Sequence, residues 1–122
     1  MVSYQFKLEG CFAAKDGKYT KSLFFVLLDS FNLHVRAVAE HEFYPQGLTI
    51  VAVLAESDAR MHTWPEKDII DIDIFHCGDG RMLHIDALLD TIELLFKSHN
   101  ITYVVTDRNT MSVIIQGTKY RT

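Results

Sequence analysis

The stretch Leu48-Thr49-Ile50-Val51-Ala52-Val53-Leu54-Ala55 restricts the fold more than any other part of the chain. It is short, uncharged and rich in β-branched side chains, which marks a strand rather than a helix. Side chains alternate along a strand, so Leu48, Ile50, Ala52 and Leu54 share one face and Val51, Val53 and Ala55 the other. A strand that is apolar on both sides sits in a sheet that needs cover on both sides.

Two segments have the periodicity to supply one of those covers. Leu23, Phe24, Leu27, Leu28 and Phe31 form a helical stripe, with Asp16 or Thr20 as its cap. Ile85, Leu88, Leu89, Ile92, Leu95 and Phe96 form a second. There Asp86 and Asp90 come early and Lys97 late, as the helix dipole prefers, and Asn100 is the expected stop. The remaining segments predict strands: Tyr4 to Gly10, Val35 to Phe43, a short Arg60 to Trp64, Ile70 to Ile74 alternating with Asp71 and Asp73, and a closing hairpin of Thr102–Thr106 and Met111–Gln116 around Asp107-Arg108-Asn109. The chain has 122 residues and no internal repeat or linker, which suits one domain. The order is strand, helix, four strands, helix, two strands. It predicts an α+β two-layer sandwich with both helices on one face of a mostly antiparallel sheet. The second apolar face then calls for a second copy of the chain, giving a two-fold homodimer. The plainer alternative is a mixed sheet whose second face is closed by loops.

Charge removes some functions. The formal net charge is −4, and no block of Lys or Arg stands out, so neither nucleic acid nor an anionic membrane is an expected partner. A mild negative balance suits a cationic small molecule. No apolar run approaches the roughly 20 residues of a membrane span. Met1-Val2-Ser3-Tyr4-Gln5-Phe6-Lys7 has no basic-then-apolar leader pattern, so cytoplasm is the expectation. Cys11 and Cys77 are then free thiols, and without a CxxC or HExxH pattern no metal site is expected.

The chemistry concentrates in Leu54-Ala55-Glu56-Ser57-Asp58-Ala59-Arg60-Met61-His62-Thr63-Trp64-Pro65-Glu66, followed by Cys77 within Ile74-Phe75-His76-Cys77-Gly78. Taken singly, each residue has an ordinary reading: Ser57 a turn hydroxyl, His62 a strand histidine, Cys77 a small core residue, Phe43 and Trp64 packing, Glu66 a solvated carboxylate. Their joint spacing says more. Leu-Ala-Glu-Ser, then His-Thr-Trp-Pro-Glu, then Asp-Ile-Phe-x-Cys-Gly resembles the prokaryotic-type S-adenosylmethionine decarboxylase proenzymes. The likeness runs without a gap from about residue 41, through His41-Glu42-Phe43-Tyr44-Pro45-Gln46-Gly47, to residue 78, and faintly takes in Glu9-Gly10-Cys11.

The resemblance implies a self-processing proenzyme. Ser57 Oγ attacks the carbonyl of Glu56 and His62 removes the Cα proton of residue 57. The chain is cut between Glu56 and Ser57, leaving a 1–56 chain and a 57–122 chain that starts with a pyruvoyl group. That group takes up electrons as CO₂ leaves S-adenosylmethionine, the step that furnishes an aminopropyl donor for spermidine biosynthesis. The resemblance gives Cys77 the role of proton donor to the substrate carbon, Thr49 a hydroxyl that supports the acyl shift, Phe43 and Trp64 the flanks of the substrate, and Glu66 its ribose hydroxyls. By alternation, Cys77 shares the face of Asp71, Asp73 and Phe75, away from the helices. Asp71 and Asp73 read as an ordinary polar strand face, and His76 as structural.

Asp58 and Arg60 depart from the family pattern, in which His usually follows the Ser. On one strand face the two are expected to pair. The departure leaves open a decarboxylase for ornithine or arginine, and an unprocessed homologue that acts as a binding subunit.

Overall fold

A computed structural model describes residues 1–77 and 82–121. Its elements run β1 (Val2–Glu9), α1 (Gly17–Ser30), β2 (Val35–Glu42), β3 (Leu48–Leu54), β4 (Asp58–Trp64), β5 (Ile69–His76), α2 (Ile85–Phe96), β6 (Asn100–Asp107) and β7 (Ser112–Tyr120), with 3₁₀ turns at Phe12–Lys15 and Pro65–Lys67. The expected order of strands and helices holds. The seven strands form one sheet in the order β2-β3-β4-β5-β1-β6-β7, and each neighbouring pair is antiparallel.

Alternation decides which face is buried. Tyr4, Phe6 and Leu8 of β1, Leu48, Ile50, Ala52 and Leu54 of β3, Ala59 and Met61 of β4, and Ile70, Ile72 and Ile74 of β5 share a core with Leu23, Phe24, Leu27 and Leu28 of α1 and Leu88, Leu89, Ile92 and Phe96 of α2. Asp16 caps α1, its side chain accepting from Tyr19 N at 3.0 Å, while Thr20 is buried and bonds back to the Asp16 carbonyl. The second helix stops sooner than its sequence suggests. Lys97 takes a left-handed conformation with φ of 53° and closes the helix through Glu93, so Asn100 already opens β6.

The opposite face is open. Val51 and Val53 are 38% and 50% exposed, and β2, β4 and β5 add Ala37, Ala39, Arg60, His62, Asp71 and Asp73 to the same side by register. Among the described residues, no loop closes over these two valines. The Glu9-Gly10-Cys11 turn serves the core instead. Gly10 has a φ of +62° and an added Cβ would lie 2.5 Å from His99, while Cys11 is buried and its thiol donates to the Phe96 carbonyl at 3.4 Å.

Candidate functional site

The β3–β4 connection is a tight turn. Leu54 N–H donates to the Ser57 carbonyl at 2.9 Å, so Ala55 and Glu56 form its tip. Two further contacts pin it. Ala55 N–H donates to the His34 carbonyl at 3.1 Å, and the Cys77 thiol donates to the Glu56 carbonyl. Cys77 lies one residue past the end of β5, and the β4–β5 ladder, which begins at Asp58 opposite Phe75, carries it back to this turn. Residues 21 positions apart thus meet at the Glu56–Ser57 bond. Gly78, the last residue of the Asp-Ile-Phe-x-Cys-Gly motif, lies outside the described residues.

The two thiols differ in kind. Cys77 is exposed, whereas Cys11 is buried and desolvation pushes its pKa up to about 11. Iodoacetamide near pH 8 is therefore expected to label Cys77 and spare Cys11 in the folded chain. Peptide mass mapping that found both labelled at similar rates would contradict this arrangement.

His62 is not at the turn. It sits five residues along β4 from Ser57, about 16 Å at the rise of an extended strand. Its Nδ1 lies 2.9 Å from Thr49 Oγ1, its cross-strand partner, and the ring is half-buried on the open face. Thr49 thus contacts the histidine and lies at the same remove from Glu56. Phe43 and Trp64 belong to this same end. Phe43 is 51% exposed and meets the His41 ring edge-on at 4.7 Å, and Trp64 is 44% exposed. Glu66 follows in the 3₁₀ turn, exposed, with Gln46 Nε2 donating to it at 3.4 Å. The sequence-derived residues therefore fall into two groups at opposite ends of the β3–β4 hairpin: Glu56, Ser57 and Cys77 at the turn, and Phe43, Thr49, His62, Trp64 and Glu66 at the far end.

Between the groups lies a charged belt. Arg60 Nε donates to Asp73 Oδ2 at 2.7 Å. The expected Arg60–Asp58 pair does not form, because the β4–β5 register sets Arg60 directly opposite Asp73, closer than a same-strand neighbour two residues away. Asp71 is no bare solvated carboxylate either, since it accepts from Trp64 Nε1 at 3.2 Å. Gln5, Lys7, Arg60, His62, Asp71 and Asp73 line a hollow of about 440 Å³ in this belt. Alternation alone had missed one neighbour of the turn. His76 and His34 share a cavity of about 240 Å³ with Ala55, Glu56 and Ser57, and His76 Nδ1 is buried with no partner among the described residues. Its position next to Cys77 was the available signal.

Among the described residues, no group of three or more His, Cys, Asp or Glu is arranged to hold a metal ion, and no helix is long and apolar enough to cross a membrane.

Comparison with known proteins adds independent findings. The family model for S-adenosylmethionine decarboxylase matches residues 6–109. An S-adenosylmethionine decarboxylase proenzyme of Prochlorococcus marinus is 44% identical over 61 residues, 50% of each chain. One from Caldanaerobacter subterraneus is 40% identical over 70 residues, 56% of this chain and 53% of that one. The chain thus spans about half the length of the curated relatives it matches. In backbone, the chain resembles the crystal structure of the adenosylmethionine decarboxylase from Aquifex aeolicus, with a TM-score of 0.72 over 98% of this chain and 96% of that one at 23% identity. A Trypanosoma brucei AdoMetDC monomer gives a TM-score of 0.60 at 13% identity over 85% of this chain and 45% of that one. These two likenesses speak for the fold.

Proposed function

Because the chain belongs to the S-adenosylmethionine decarboxylase family, whose model it matches from residue 6 to residue 109, we propose that it decarboxylates S-adenosylmethionine with a pyruvoyl group made from its own Ser57. One observation carries the reading: the Cys77 thiol donates to the carbonyl of Glu56, the carbonyl that Ser57 must attack. The residues at the turn suit such a group. Ser57 is half-buried just past the hairpin tip, and the carbonyl that precedes it is already held by a hydrogen-bond donor. Once formed, a pyruvoyl group supplies the electron sink for loss of CO₂.

The residues divide the work. Ser57 Oγ adds to the Glu56 carbonyl, and the Glu56 acyl group passes from nitrogen to oxygen as the C–N bond breaks and the freed amine takes a proton. Negative charge builds on the carbonyl oxygen during this shift, and the Cys77 thiol is aimed at that oxygen. His62 removes the Cα proton of residue 57, and the Oγ–Cβ bond breaks as Glu56 leaves as a carboxylate. That elimination cuts the chain, and exchange of the residue 57 nitrogen for a water oxygen, with loss of ammonia, leaves the pyruvoyl group. In turnover, Cys77 delivers a proton to the substrate carbon that has lost CO₂. Phe43 and Trp64 present aromatic faces to the adenine and the sulfonium, a contact worth about 0.5–2 kcal/mol for a cation. Glu66 accepts from the ribose hydroxyls.

The 16 Å separation supports a homodimer in which a site is shared. His62 cannot reach the Ser57 of its own chain while the β4 strand stays extended. Two open faces stacked about a two-fold axis bring the Thr49–His62–Trp64 end of one copy over the Ser57–Cys77 end of the other. Stacking also buries Val51 and Val53, which satisfies the two-sided apolar strand.

Arg60 is taken up by Asp73, so the free charge pair with Asp58 that pointed toward ornithine or arginine is missing. S-adenosylmethionine is therefore the proposed substrate. Purified protein is expected to show fragments 1–56 and 57–122 by intact mass, the second resistant to Edman chemistry, and to release CO₂ from S-adenosylmethionine rather than from ornithine or arginine. Ser57→Ala should stay one chain. A single full-length, inactive chain under every condition would defeat the proposal in favour of a binding subunit.

A further inference from the structure

We propose that Asp71 is a positioning residue that fixes the indole of Trp64 for substrate. The inference rests on the reading of Trp64 as a substrate contact. Asp71 stands directly opposite His62 in the β4–β5 ladder, and Trp64 is one pleat further along β4 on the same face. That diagonal spacing of roughly 7–8 Å between neighbours is within reach of an aromatic side chain. Asp71 Oδ2 uses it to accept the Trp64 Nε1 proton at 3.2 Å. A carboxylate acceptor gives this bond more strength than a neutral group would. Trp64 is otherwise poorly restrained, being 44% exposed at the end of its strand.

A second contact acts on the face of the ring rather than its edge. Lys67, in the 3₁₀ turn that follows, holds its ammonium 5.9 Å from the indole centroid. A cation on one face directs an incoming sulfonium to the other face, since the two positive charges repel. Asp71 stops the ring from turning and Lys67 marks which face is closed. The carboxylate also leaves a negative charge beside the place where a cationic substrate lies, on the rim of the 440 Å³ hollow that Asp71 shares with His62.

Trp64 is the single tryptophan of the chain, so its fluorescence reports on the contact without any need for activity. Asp71→Ala is expected to raise acrylamide quenching and lower the anisotropy of that residue. Asp71→Asn, which keeps a carbonyl acceptor, should restore both. In steady-state assays Asp71→Ala should raise KM for S-adenosylmethionine about fivefold with little change in kcat, the effect of one ordinary hydrogen bond. Self-cleavage, followed by mass, should proceed in all these variants. Quenching and anisotropy that do not change in Asp71→Ala would overturn the proposal. So would a loosened indole with KM unmoved in both Asp71→Ala and Trp64→Ala, which would remove Trp64 from the substrate site. An unmutated protein that fails to decarboxylate would sink the functional reading alone, and the fluorescence pair would still decide the role of Asp71.

Discussion

Chains carrying His62→Ala, uncut on their own, are expected to be cut when co-expressed with Ser57→Ala chains. On the proposed roles, each variant alone lacks one half of the reaction: the first has no base, the second no hydroxyl. In the proposed dimer, a mixed pair would set the Ser57 of one chain against the His62 of the other and restore one complete site. At equal expression and random pairing, roughly half of the His62→Ala chain should appear as fragments 1–56 and 57–122. The Ser57→Ala chain should remain whole, which serves as the internal control. Intact mass of the affinity-purified mixture reads both populations at once. A His62→Ala chain that stays entirely uncut in the mixture would return the base to its own chain, and would require β4 to bend by far more than an extended strand allows.

The second large effect is at Cys77. With Cys77 as the proposed proton donor, Cys77→Ala should lower turnover by about 10²–10⁴-fold. Because the thiol also donates to the Glu56 carbonyl, cutting should slow as well, by up to about 10²-fold, the effect of losing one donor to a developing oxyanion. Cys77→Ser separates the two functions. Its hydroxyl can still donate to the carbonyl, so cutting should recover, while its far weaker acidity leaves turnover low. Without a proton aimed at the substrate carbon, the proton would go to the residue 57 carbon instead. Hydrolysis would then leave the substrate's amine nitrogen on residue 57 as an N-terminal alanine and release the decarboxylated substrate as an aldehyde. Mass spectrometry of the 57–122 fragment during turnover should show that conversion. Normal turnover by Cys77→Ala with an unchanged fragment would exclude Cys77 as the donor and shift attention to His62.

The legible parts of the fold follow from local rules. Alternation in Ile70, Ile72 and Ile74 and the 3.6-residue stripe from Leu23 to Leu28 survive unchanged, because burial on one side of a sheet enforces both periods. The stop of α2 does not follow from them. It depends on Lys97 adopting a left-handed turn, a role that a lysine rarely signals. The partner of Arg60 was hidden for another reason. Asp73 lies 13 residues away and becomes its neighbour only through the register of β4 on β5, which no single-strand pattern contains. Spacing in the sequence also conceals the division of the site. Ser57 and His62 look adjacent on paper, yet an extended strand carries them to opposite ends of a hairpin, while Cys77 returns to the turn from a distant stretch of chain.

The strand order has a consequence for what a cut does to the molecule. Residues 1–56 supply β1, α1, β2 and β3, and residues 57–122 supply β4, β5, α2, β6 and β7. In the sheet, β1 is threaded between β5 and β6, so the first piece is woven through the second rather than laid beside it. Three antiparallel seams join the pieces: β3 to β4, β1 to β5 and β1 to β6. Severing one peptide bond at a hairpin tip would leave every seam intact, and the halves would part only when all three give way. If the proposed cut is made, the interlacing favours one order of events, with β1 seated between β5 and β6 while the polypeptide is still continuous. Such a cut would make maturation a one-way ratchet: a cut molecule that loses its fold would have no covalent tether to guide β1 back into its slot.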